Sequence, residues 1–262
     1  MAYVGPPNQY DFMGATQFRL LSSLGLRSNH SLLDFGCGSL RAGKLILNYL
    51  DKSNYYGIEP NKWLIDNAIK NQIGQDIIEI KAPSFDFNDQ FKTDVFSTKF
   101  DFIVAQSIFS HTGGDLIRIA LKNFKDSLKK DGLILVTFVE GLSDFQGSGW
   151  IYPSCVSYRY SKIKEFGKDA NLFISRIPWY HPRQTWYLLS RSKERLPNEK
   201  MMEYLKGVVL FEPDFNESWK KTYKTKGVIR LIKNSIHQTM PKPLKNFLKN
   251  IFKKTNIIRS LL

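Results

Sequence analysis

The sequence predicts an α/β fold with a doubly wound, mostly parallel seven-stranded sheet that an antiparallel hairpin closes. Short apolar runs alternate with stretches of helical spacing over residues 10–140. A glycine turn follows the first apolar run, in the segment LLDFGCGSLRAG at residues 32–43, and leads into helix-forming sequence. A strand, a glycine turn and a helix in this order leave free backbone N–H groups and the positive end of a helix dipole at one sheet edge.

The predicted elements follow this alternation along the chain. Helices are predicted over residues 11–24, 42–50, 62–70, 116–128 and 161–167, and strands over residues 31–35, 55–58, 76–82, 100–106, 133–139, 171–177 and 184–190. The strand at 100–106 is apolar on both faces, as a parallel sheet covered by helices requires. The linker PWYHPR at 178–183 is short, so the last two strands are expected to form the hairpin.

Length and charge divide the chain into two parts. With 262 residues, 42% of them hydrophobic, it can fill one large core and still carry an appendage. We expect a main domain over residues 1–195, whose first 30 residues form a helical cap, and an extension over residues 196–262. The net charge is +14, and residues 217–262 hold twelve Lys or Arg and one acidic residue, so +11 of it lies there. A phosphate-rich partner is therefore expected to meet the extension.

The sequence also indicates a compartment. It has no apolar run of the ~18 residues that a bilayer span requires. Residues 1–12 lack the basic and apolar segments of a secretory signal. Two cysteines, Cys37 and Cys155, do not suggest a disulfide framework. We expect a cytoplasmic protein.

Acidic residues beside two strand ends indicate more specifically which kind of ligand the glycine turn binds. Gly36, Gly38 and Gly43 do not have the spacing of a dinucleotide-binding turn. Asp34 precedes the turn, and Glu59 ends the second predicted strand. A carboxylate at that second position can accept both hydrogen bonds of a ribose diol.

With these residues the sequence resembles the class I S-adenosylmethionine-dependent methyltransferases, over about residues 10–190. The acidic residue and G-x-G of that family's first motif are matched by Asp34 and the segment GCG at 36–38, and its acidic residue at the end of strand two by Glu59. Leu40 stands where many relatives carry a third glycine. The resemblance implies the cofactor S-adenosyl-L-methionine, held by Asp34, Gly36, Cys37, Gly38, Arg41, Glu59, Pro60, Asp86, Phe87 and Gln106.

Two histidines are candidates for the general base that a hydroxyl acceptor needs. His30 precedes the first strand, at the wrong sheet edge, and His237 lies in the extension. His111 follows the fourth predicted strand, and His181 lies in the hairpin linker. Both positions open onto the carboxyl edge of the sheet, so we expect both histidines at the pocket mouth with Arg183 nearby. The alternative role for His111 is to order the loop after strand four.

The long segment 140–160 has no periodicity, and a loop of this size is usually functional. Aromatic rings stack on sugar rings and Arg binds carboxylate or phosphate, so the predicted acceptor residues are Trp150, Tyr152, Tyr158, Arg159 and Arg183. Packing of the loop is the alternative role. Residues 106–109 read QSIF and lack the Asn/Asp-Pro-Pro-aromatic signature of nucleic-acid amino-methyltransferases. No ligand spacing suggests a metal site.

The extension is predicted to form amphipathic helices from Val228 onward. Apolar residues recur there at helical spacing, with Lys245, Lys249, Lys253 and Lys254 between them. Such a helix binds anionic lipid surfaces at ~1 kcal/mol per basic residue. Packing on the domain or on a second subunit is the alternative, and nucleic acid is less favoured because aromatics are not interleaved.

We therefore expect an S-adenosylmethionine-dependent methyltransferase that O-methylates a sugar or glycan hydroxyl in surface polysaccharide biosynthesis. If the extension binds the inner face of the cell membrane, as a peripheral protein would, the acceptor is expected to be lipid-linked. Two alternatives remain open: a non-catalytic methyltransferase-like subunit recruited to a membrane, and an RNA methyltransferase. Asp34 and Glu59 argue against the first, because a subunit without activity need not keep a ribose ligand.

Overall fold

The computed structural model describes residues 7–210, which form a seven-stranded sheet between two layers of helices. The strands are β1 (Leu32–Phe35), β2 (Tyr55–Ile58), β3 (Ser84–Asp86), β4 (Phe100–Ala105), β5 (Leu128–Phe138), β6 (Phe173–Ile177) and β7 (Thr185–Ser190). The helices are α1 (Tyr10–Ser23), α2 (Gly43–Tyr49), α3 (Lys62–Ala68), α4 (Gln75–Lys81), α5 (Gly114–Ser127), α6 (Tyr160–Asp169) and α7 (Glu199–Val208). The helices predicted from Val228 onward lie outside the described residues.

The strand order is β3-β2-β1-β4-β5-β7-β6, which confirms the predicted fold class. Strands β1 to β5 pair in parallel, whereas β7 is antiparallel to both β5 and β6. Asp34 near the end of β1 pairs with Gly57 of β2 and Val104 of β4. The carboxyl ends of β1, β2 and β4 therefore meet at one edge, where ligands of open α/β sheets bind.

Alternate side chains of each strand fill two separate cores. On β4, Ile103 and Ala105 pack with α5 residues such as Phe124, on what we call the α5 face. Phe102 and Val104 of the same strand belong to the other cluster, on the α1 face. That cluster also holds the following residues of α1, α2, β7 and α7: Leu20, Leu21, Ile46, Trp186, Leu188 and Leu205.

The predicted strand at 76–82 is wrong, because this segment forms helix α4. Gly74, with φ 95°, precedes the helix, and Ala82 ends it in the left-handed conformation. Asp76 lies in the first turn, where a negative charge favours a helix. The run DIIEIKA places its apolar residues at helical as well as strand spacing, and the sheet is extended instead by the three-residue β3.

Helix α1 connects the glycine turn to the hairpin linker. The Tyr10 hydroxyl donates to the Ser39 carbonyl at 2.8 Å, and Trp179 Nε1 donates to the Thr16 carbonyl at 3.2 Å. Leu205 of α7 is fully buried on the α1 face, so the described start of the extension packs on the domain. None of the helices within residues 7–210 is long and apolar enough to cross a bilayer.

Candidate functional site

The glycine turn has a backbone that only residues without a side chain accept easily. Gly36 and Gly38 have φ of 73° and 55°. A Cβ on Gly36 would lie 2.1 Å from Ile108 Cδ1. The N–H groups of Gly36 and Cys37 both donate to the Ile58 carbonyl, at 2.8 and 3.1 Å. The turn is thereby fixed against the end of β2.

Leu40, which stands where many relatives carry a third glycine, has a backbone conformation that favours glycine. Its φ is 55°, in the left-handed region, and its side chain is fully buried on the α1 face. Burial of a leucine side chain stabilises a fold by about 1.5–3 kcal/mol, which offsets the cost of this conformation. The departure from the pattern therefore leaves the turn intact.

Asp34 is a buried carboxylate beside the turn. It accepts a hydrogen bond from the Tyr55 hydroxyl at 2.9 Å. Burial raises its pKa to about 6, although Tyr55 and the nearby Arg41 guanidinium oppose the shift. A buried carboxylate with so high a pKa favours a cationic ligand, because a positive charge would relieve its desolvation. Burial also lowers the pKa of Arg41.

Glu59 spans the turn from the end of β2. Its Oε2 accepts the Gly38 N–H at 3.1 Å, and its Oε1 accepts the backbone and side-chain N–H of Asn61 at 2.9 and 2.8 Å. The Glu59 side chain is buried, and the exposed Pro60 separates it from Asn61 in the chain. These contacts fix the carboxylate beside the glycine turn.

The end of β3 adds a polar and an apolar group to the same edge. The Asp86 carbonyl accepts the Glu59 N–H at 3.1 Å, and Asp86 Oδ1 accepts the Asn88 N–H at 2.9 Å. The Phe87 ring is 39% exposed, with Lys62 Nζ 5.7 Å from its centroid. An aromatic face in this position suits a flat heterocycle.

Two further predicted cofactor residues lie on the α1 face of this edge. The Cys37 thiol is buried, and its burial raises its pKa, so it remains uncharged and packs beside Gly57. Gln106 directly follows β4, and within residues 7–210 neither atom of its buried amide has a hydrogen-bond partner. Unpaired amide atoms at this position indicate a polar ligand.

His111 has the hydrogen bonding of a general base. Its Nδ1 lies 2.7 Å from the Ser154 carbonyl oxygen. A carbonyl only accepts, so Nδ1 carries the proton and the lone pair is on Nε2. Burial lowers the pKa of His111, and the positive charge of Arg183 lowers it further. The ring is therefore neutral at pH 7 and able to take a proton.

The long loop 140–159 folds back onto the segment that carries His111. The Ile151 N–H donates to the His111 carbonyl at 2.9 Å, and the Val156 N–H donates to the Ser110 carbonyl at 2.8 Å. The loop places two exposed rings beside the histidine: Trp150 is 5.7 Å and Tyr152 is 5.1 Å from it, centroid to centroid. These two rings lie within 15° of parallel. His111 is thus flanked by an aromatic surface open to solvent.

Two predicted acceptor residues have other roles in the structure. Tyr158 is buried in the core of the α5 face, and its hydroxyl donates to the Thr112 carbonyl at 2.9 Å. Arg159 is held by Asp144, with Nε 2.9 Å from Oδ2. Because both side chains are engaged with loop residues, they stabilise the loop that carries Trp150 and Tyr152.

His181 forms different hydrogen bonds from those of His111. Its Nδ1 accepts the backbone N–H groups of Arg183 and Gln184, at 3.2 and 3.0 Å. A neutral ring with Nδ1 as acceptor carries its proton on Nε2, so no lone pair is free to act as a base. The charge of Arg183 acts on both His111 and Cys155. Of the two histidines, His111 is the one whose hydrogen bonding leaves a lone pair on the ring.

Several contributors were missed from the sequence. The Ser154 carbonyl orients His111 although the two residues are 43 positions apart in the chain. Every residue has a backbone carbonyl, so the sequence gives no sign of this contact. Gln184 binds Ser107 Oγ through its Nε2 at 2.9 Å. Its position at the start of the last predicted strand, next to the hairpin linker, was the one available signal. Within residues 7–210, no group of three or more His, Cys, Asp or Glu side chains is arranged to hold a metal ion.

Comparison with known proteins identifies a matching family model and similar folds. Residues 33–134 match a family model described as a methyltransferase domain. The fold is similar to an S-adenosylmethionine-dependent methyltransferase from Clostridium acetobutylicum, with 12% identity and a TM-score of 0.51 over 69% of this chain and 91% of that one. It is also similar to magnesium protoporphyrin IX methyltransferase from Synechocystis with bound cofactor, with 14% identity and a TM-score of 0.54 over 73% and 87%.

A third similar structure is a glycopeptide N-methyltransferase in complex with S-adenosyl-L-methionine. It has 8% identity and a TM-score of 0.54, over 68% of this chain and 94% of that one. Identities this low show the shared fold and do not extend to the acceptor. No curated protein matches the chain.

Proposed function

We propose that this chain, a class I S-adenosylmethionine-dependent methyltransferase, methylates a sugar or glycan hydroxyl with His111 as general base. The observation that carries the proposal is the 2.7 Å contact from His111 Nδ1 to the Ser154 carbonyl. It leaves a neutral Nε2 beside the exposed Trp150 and Tyr152 rings. A base is needed for a hydroxyl acceptor, whose proton must leave as the new C–O bond forms.

The residues of the glycine turn fit the cofactor. Gly36 leaves space that a Cβ would fill, and Asp34 is a buried carboxylate that favours a positive charge such as the ammonium of the methionyl group. Glu59 is fixed for the ribose hydroxyls, and Phe87 offers an aromatic face for adenine. When bound, S-adenosyl-L-methionine supplies an electrophilic methyl group on a sulfonium. The turn contributes by holding the donor in place, which is the main requirement of a displacement.

His111 then holds and removes one proton. Its Nε2 accepts the acceptor hydroxyl hydrogen, while Nδ1–H stays on the Ser154 carbonyl and fixes the ring. The positive ring that results is less favourable near Arg183, so it returns its proton readily to solvent. A lowered pKa makes the ring a weaker base but keeps it deprotonated at neutral pH, which is where catalysis needs it.

The sugar assignment is supported by the surface around His111. The Trp150 and Tyr152 rings are 50% and 39% exposed and nearly parallel, a surface on which the apolar face of a sugar ring packs. Arg183 adds a positive charge, which favours an acceptor that carries a phosphate or carboxylate next to its sugar.

The place of this reaction is proposed from the charge of the extension. Residues 217–262 hold twelve Lys or Arg and one acidic residue, a composition that favours an anionic membrane surface. A cytoplasmic protein at the inner face of the membrane would meet lipid-linked glycans of surface polysaccharide assembly. Flotation with vesicles of anionic or neutral lipid tests this part. Binding to neutral vesicles alone would contradict it.

The catalytic proposal is tested with a panel of acceptors. Purified protein is incubated with S-adenosyl-L-methionine and with free hexosides, sugar nucleotides, an RNA and a peptide, and release of S-adenosylhomocysteine is measured. We expect release with a sugar acceptor and a methyl ether in the product by mass spectrometry. Methylation of the RNA or of a nitrogen atom in place of a hydroxyl would contradict the proposal.

A further inference from the structure

A group of polar side chains is buried without partners on the α1 face, near the carboxyl edge. We call this group the polar recess. Among residues 7–210, the following atoms have no hydrogen-bond partner: Thr16 Oγ1, Gln106 Nε2 and Oε1, Gln184 Oε1 and Trp186 Nε1. All four residues are at most 9% exposed. Each unpaired buried atom costs about 1–3 kcal/mol of stability. A set of such atoms in one region therefore requires a physical explanation, such as a bound ligand.

Ser107 connects the recess residues at the ends of β4 and β7. Gln106 directly follows β4 and Gln184 directly precedes β7, and strand alternation extended by one residue places them on the same face as Val104 and Trp186. Gln184 Nε2 donates to Ser107 Oγ at 2.9 Å, directly beside Gln106. The Ser107 N–H in turn donates at 2.7 Å to Thr137, the β5 partner of Trp186. The unpaired atoms therefore belong to one neighbourhood.

Thr16 closes the recess from helix α1. The Thr16 carbonyl accepts the Trp179 Nε1–H at 3.2 Å, and Trp179 packs in the same apolar cluster as Trp186. The Thr16 side chain is 1% exposed, so α1 shields the recess from water.

The recess recognises a neutral ligand with hydroxyl groups. None of its four side chains is charged. Trp186 Nε1 donates, Gln184 Oε1 accepts, and the Gln106 amide and the Thr16 hydroxyl do both. Hydroxyl groups match such a mixed set because each can donate and accept. An ion would be left without a counter-charge among these groups.

The recess is distant from the ribose position of the cofactor. Trp186 on β7 is three strands away from β1, about 14 Å at the usual strand spacing, and Glu59 lies one strand further on. Gln184 and Trp186 are therefore assigned to the acceptor. Gln106, which sequence placed with the cofactor, is assigned to the acceptor on the basis of its neighbours.

We propose that the polar recess binds the hydroxyl groups of an uncharged sugar ring of the acceptor and determines acceptor specificity, an inference that rests on the proposed function. The unpaired atoms find their partners in the acceptor. Acceptor binding then explains why the recess residues are polar although their unpaired atoms lower stability. Apolar replacements should stabilise the protein and weaken acceptor binding.

The variants Thr16→Val and Gln106→Met test this, because each removes unpaired atoms with little change in shape. Thr93→Val is the matched control: its buried hydroxyl donates to the Asn123 carbonyl at 2.9 Å and contacts Ser127 Oγ. We expect an unchanged or higher melting temperature for the first two variants and a lower one for the control. A fall in melting temperature for both recess variants would show that their atoms are already paired and would overturn the proposal.

Binding is measured by saturation-transfer NMR titration with the methyl α-glycosides of glucose, mannose and galactose, with S-adenosylhomocysteine present. We expect binding of at least one glycoside, about fivefold weaker in Thr16→Val and Gln106→Met and unchanged in the control. Absence of binding by the wild type, or equal affinity in all variants, would overturn the proposal. If the glycosides bind in the recess but are never methylated, the proposed function fails while the recess assignment stands.

Discussion

The two halves of the proposed site, one for the cofactor and one for the acceptor, are built in different ways. On the cofactor side, Asp34, Glu59 and the glycines follow directly from the ends of β1 and β2, and their contacts are within a few residues of a strand. On the acceptor side, His111 depends on Ser154, and the aromatic rings depend on a loop folded back over 40 residues of chain. The cofactor half is therefore positioned by the strands of the fold, whereas the acceptor half is positioned by the conformation of the loop.

This difference predicts that substitutions on the two sides separate binding of the donor from transfer of the methyl group. The largest effect is expected at the base. His111→Ala should lower kcat by about 10²–10⁴-fold, because proton removal is lost while the donor stays in place. Cofactor affinity, measured by calorimetry, should be unchanged.

The control for this variant is His30→Gln, since His30 precedes β1 at the opposite edge. In the wild type, kcat/KM should rise with pH through the pKa of His111, which lies below 6.5, and then level off. His181→Gln should keep this profile even if it lowers stability. A profile that moves with His181 would transfer the role of base to that residue.

Asp34→Asn should have the next largest effect, with opposite signs in stability and binding. Burial raises the Asp34 pKa from 3.8 to about 6, so the folded state holds the proton more tightly than the unfolded state. The resulting cost is absent below pH 4, grows between pH 4 and 6 and reaches about 3 kcal/mol above it. Asparagine has no such cost and can still accept from Tyr55.

Denaturant unfolding without cofactor should therefore show Asp34→Asn to be more stable than the wild type at pH 7.5 and equal to it near pH 4. Cofactor affinity should fall in the variant, and in the wild type it should weaken as pH drops below 6 and Asp34 takes up its proton. Equal stability at both pH values would mean that Asp34 is not desolvated.

Glu59→Ala tests the cofactor side alone. Loss of charged hydrogen bonds to a diol costs about 1.5–3 kcal/mol, so the dissociation constant for S-adenosyl-L-methionine should rise about 10–100-fold. Turnover at saturating cofactor should stay close to that of the wild type. The control Glu203→Ala removes an exposed carboxylate on α7 that pairs with Lys206, and it should change neither quantity.

The smallest effect is expected at the acceptor surface. Trp150→Ala removes one ring of the pair beside His111 and should cost about 0.5–1.5 kcal/mol, a two- to tenfold rise in KM for the acceptor. Tyr204→Ala, at an exposed ring on α7, serves as the control. A loss of cofactor binding in Trp150→Ala would show that the two sides are not separate.

The fold and the cofactor side were open to prediction because local patterns determine them. Apolar runs in the sequence predict six of the seven strands, and Asp34 and Glu59 are singled out by their positions at the ends of two of these strands. The segment 76–82 failed because its apolar residues fit both a strand and helix α4. Short amphipathic segments of this kind are decided by tertiary packing.

The acceptor side resisted prediction for a different physical reason. The sequence places His111 and His181 at one edge as the two candidates for the base, but only the partner of each Nδ1 tells which ring keeps a free lone pair. Those partners are backbone groups, which every residue possesses. In the same way, Tyr158 and Arg159 carry suitable side chains for an acceptor but use them to hold the loop.

The most direct test of this division is the rescue of two variants by cofactor. Methyl transfer to the sugar acceptor found in the panel is measured for Glu59→Ala and His111→Ala over rising concentrations of labelled S-adenosyl-L-methionine. The division predicts that Glu59→Ala recovers near wild-type turnover, whereas His111→Ala stays slow at every concentration. Recovery of His111→Ala, or a slow Glu59→Ala at saturation, would contradict it.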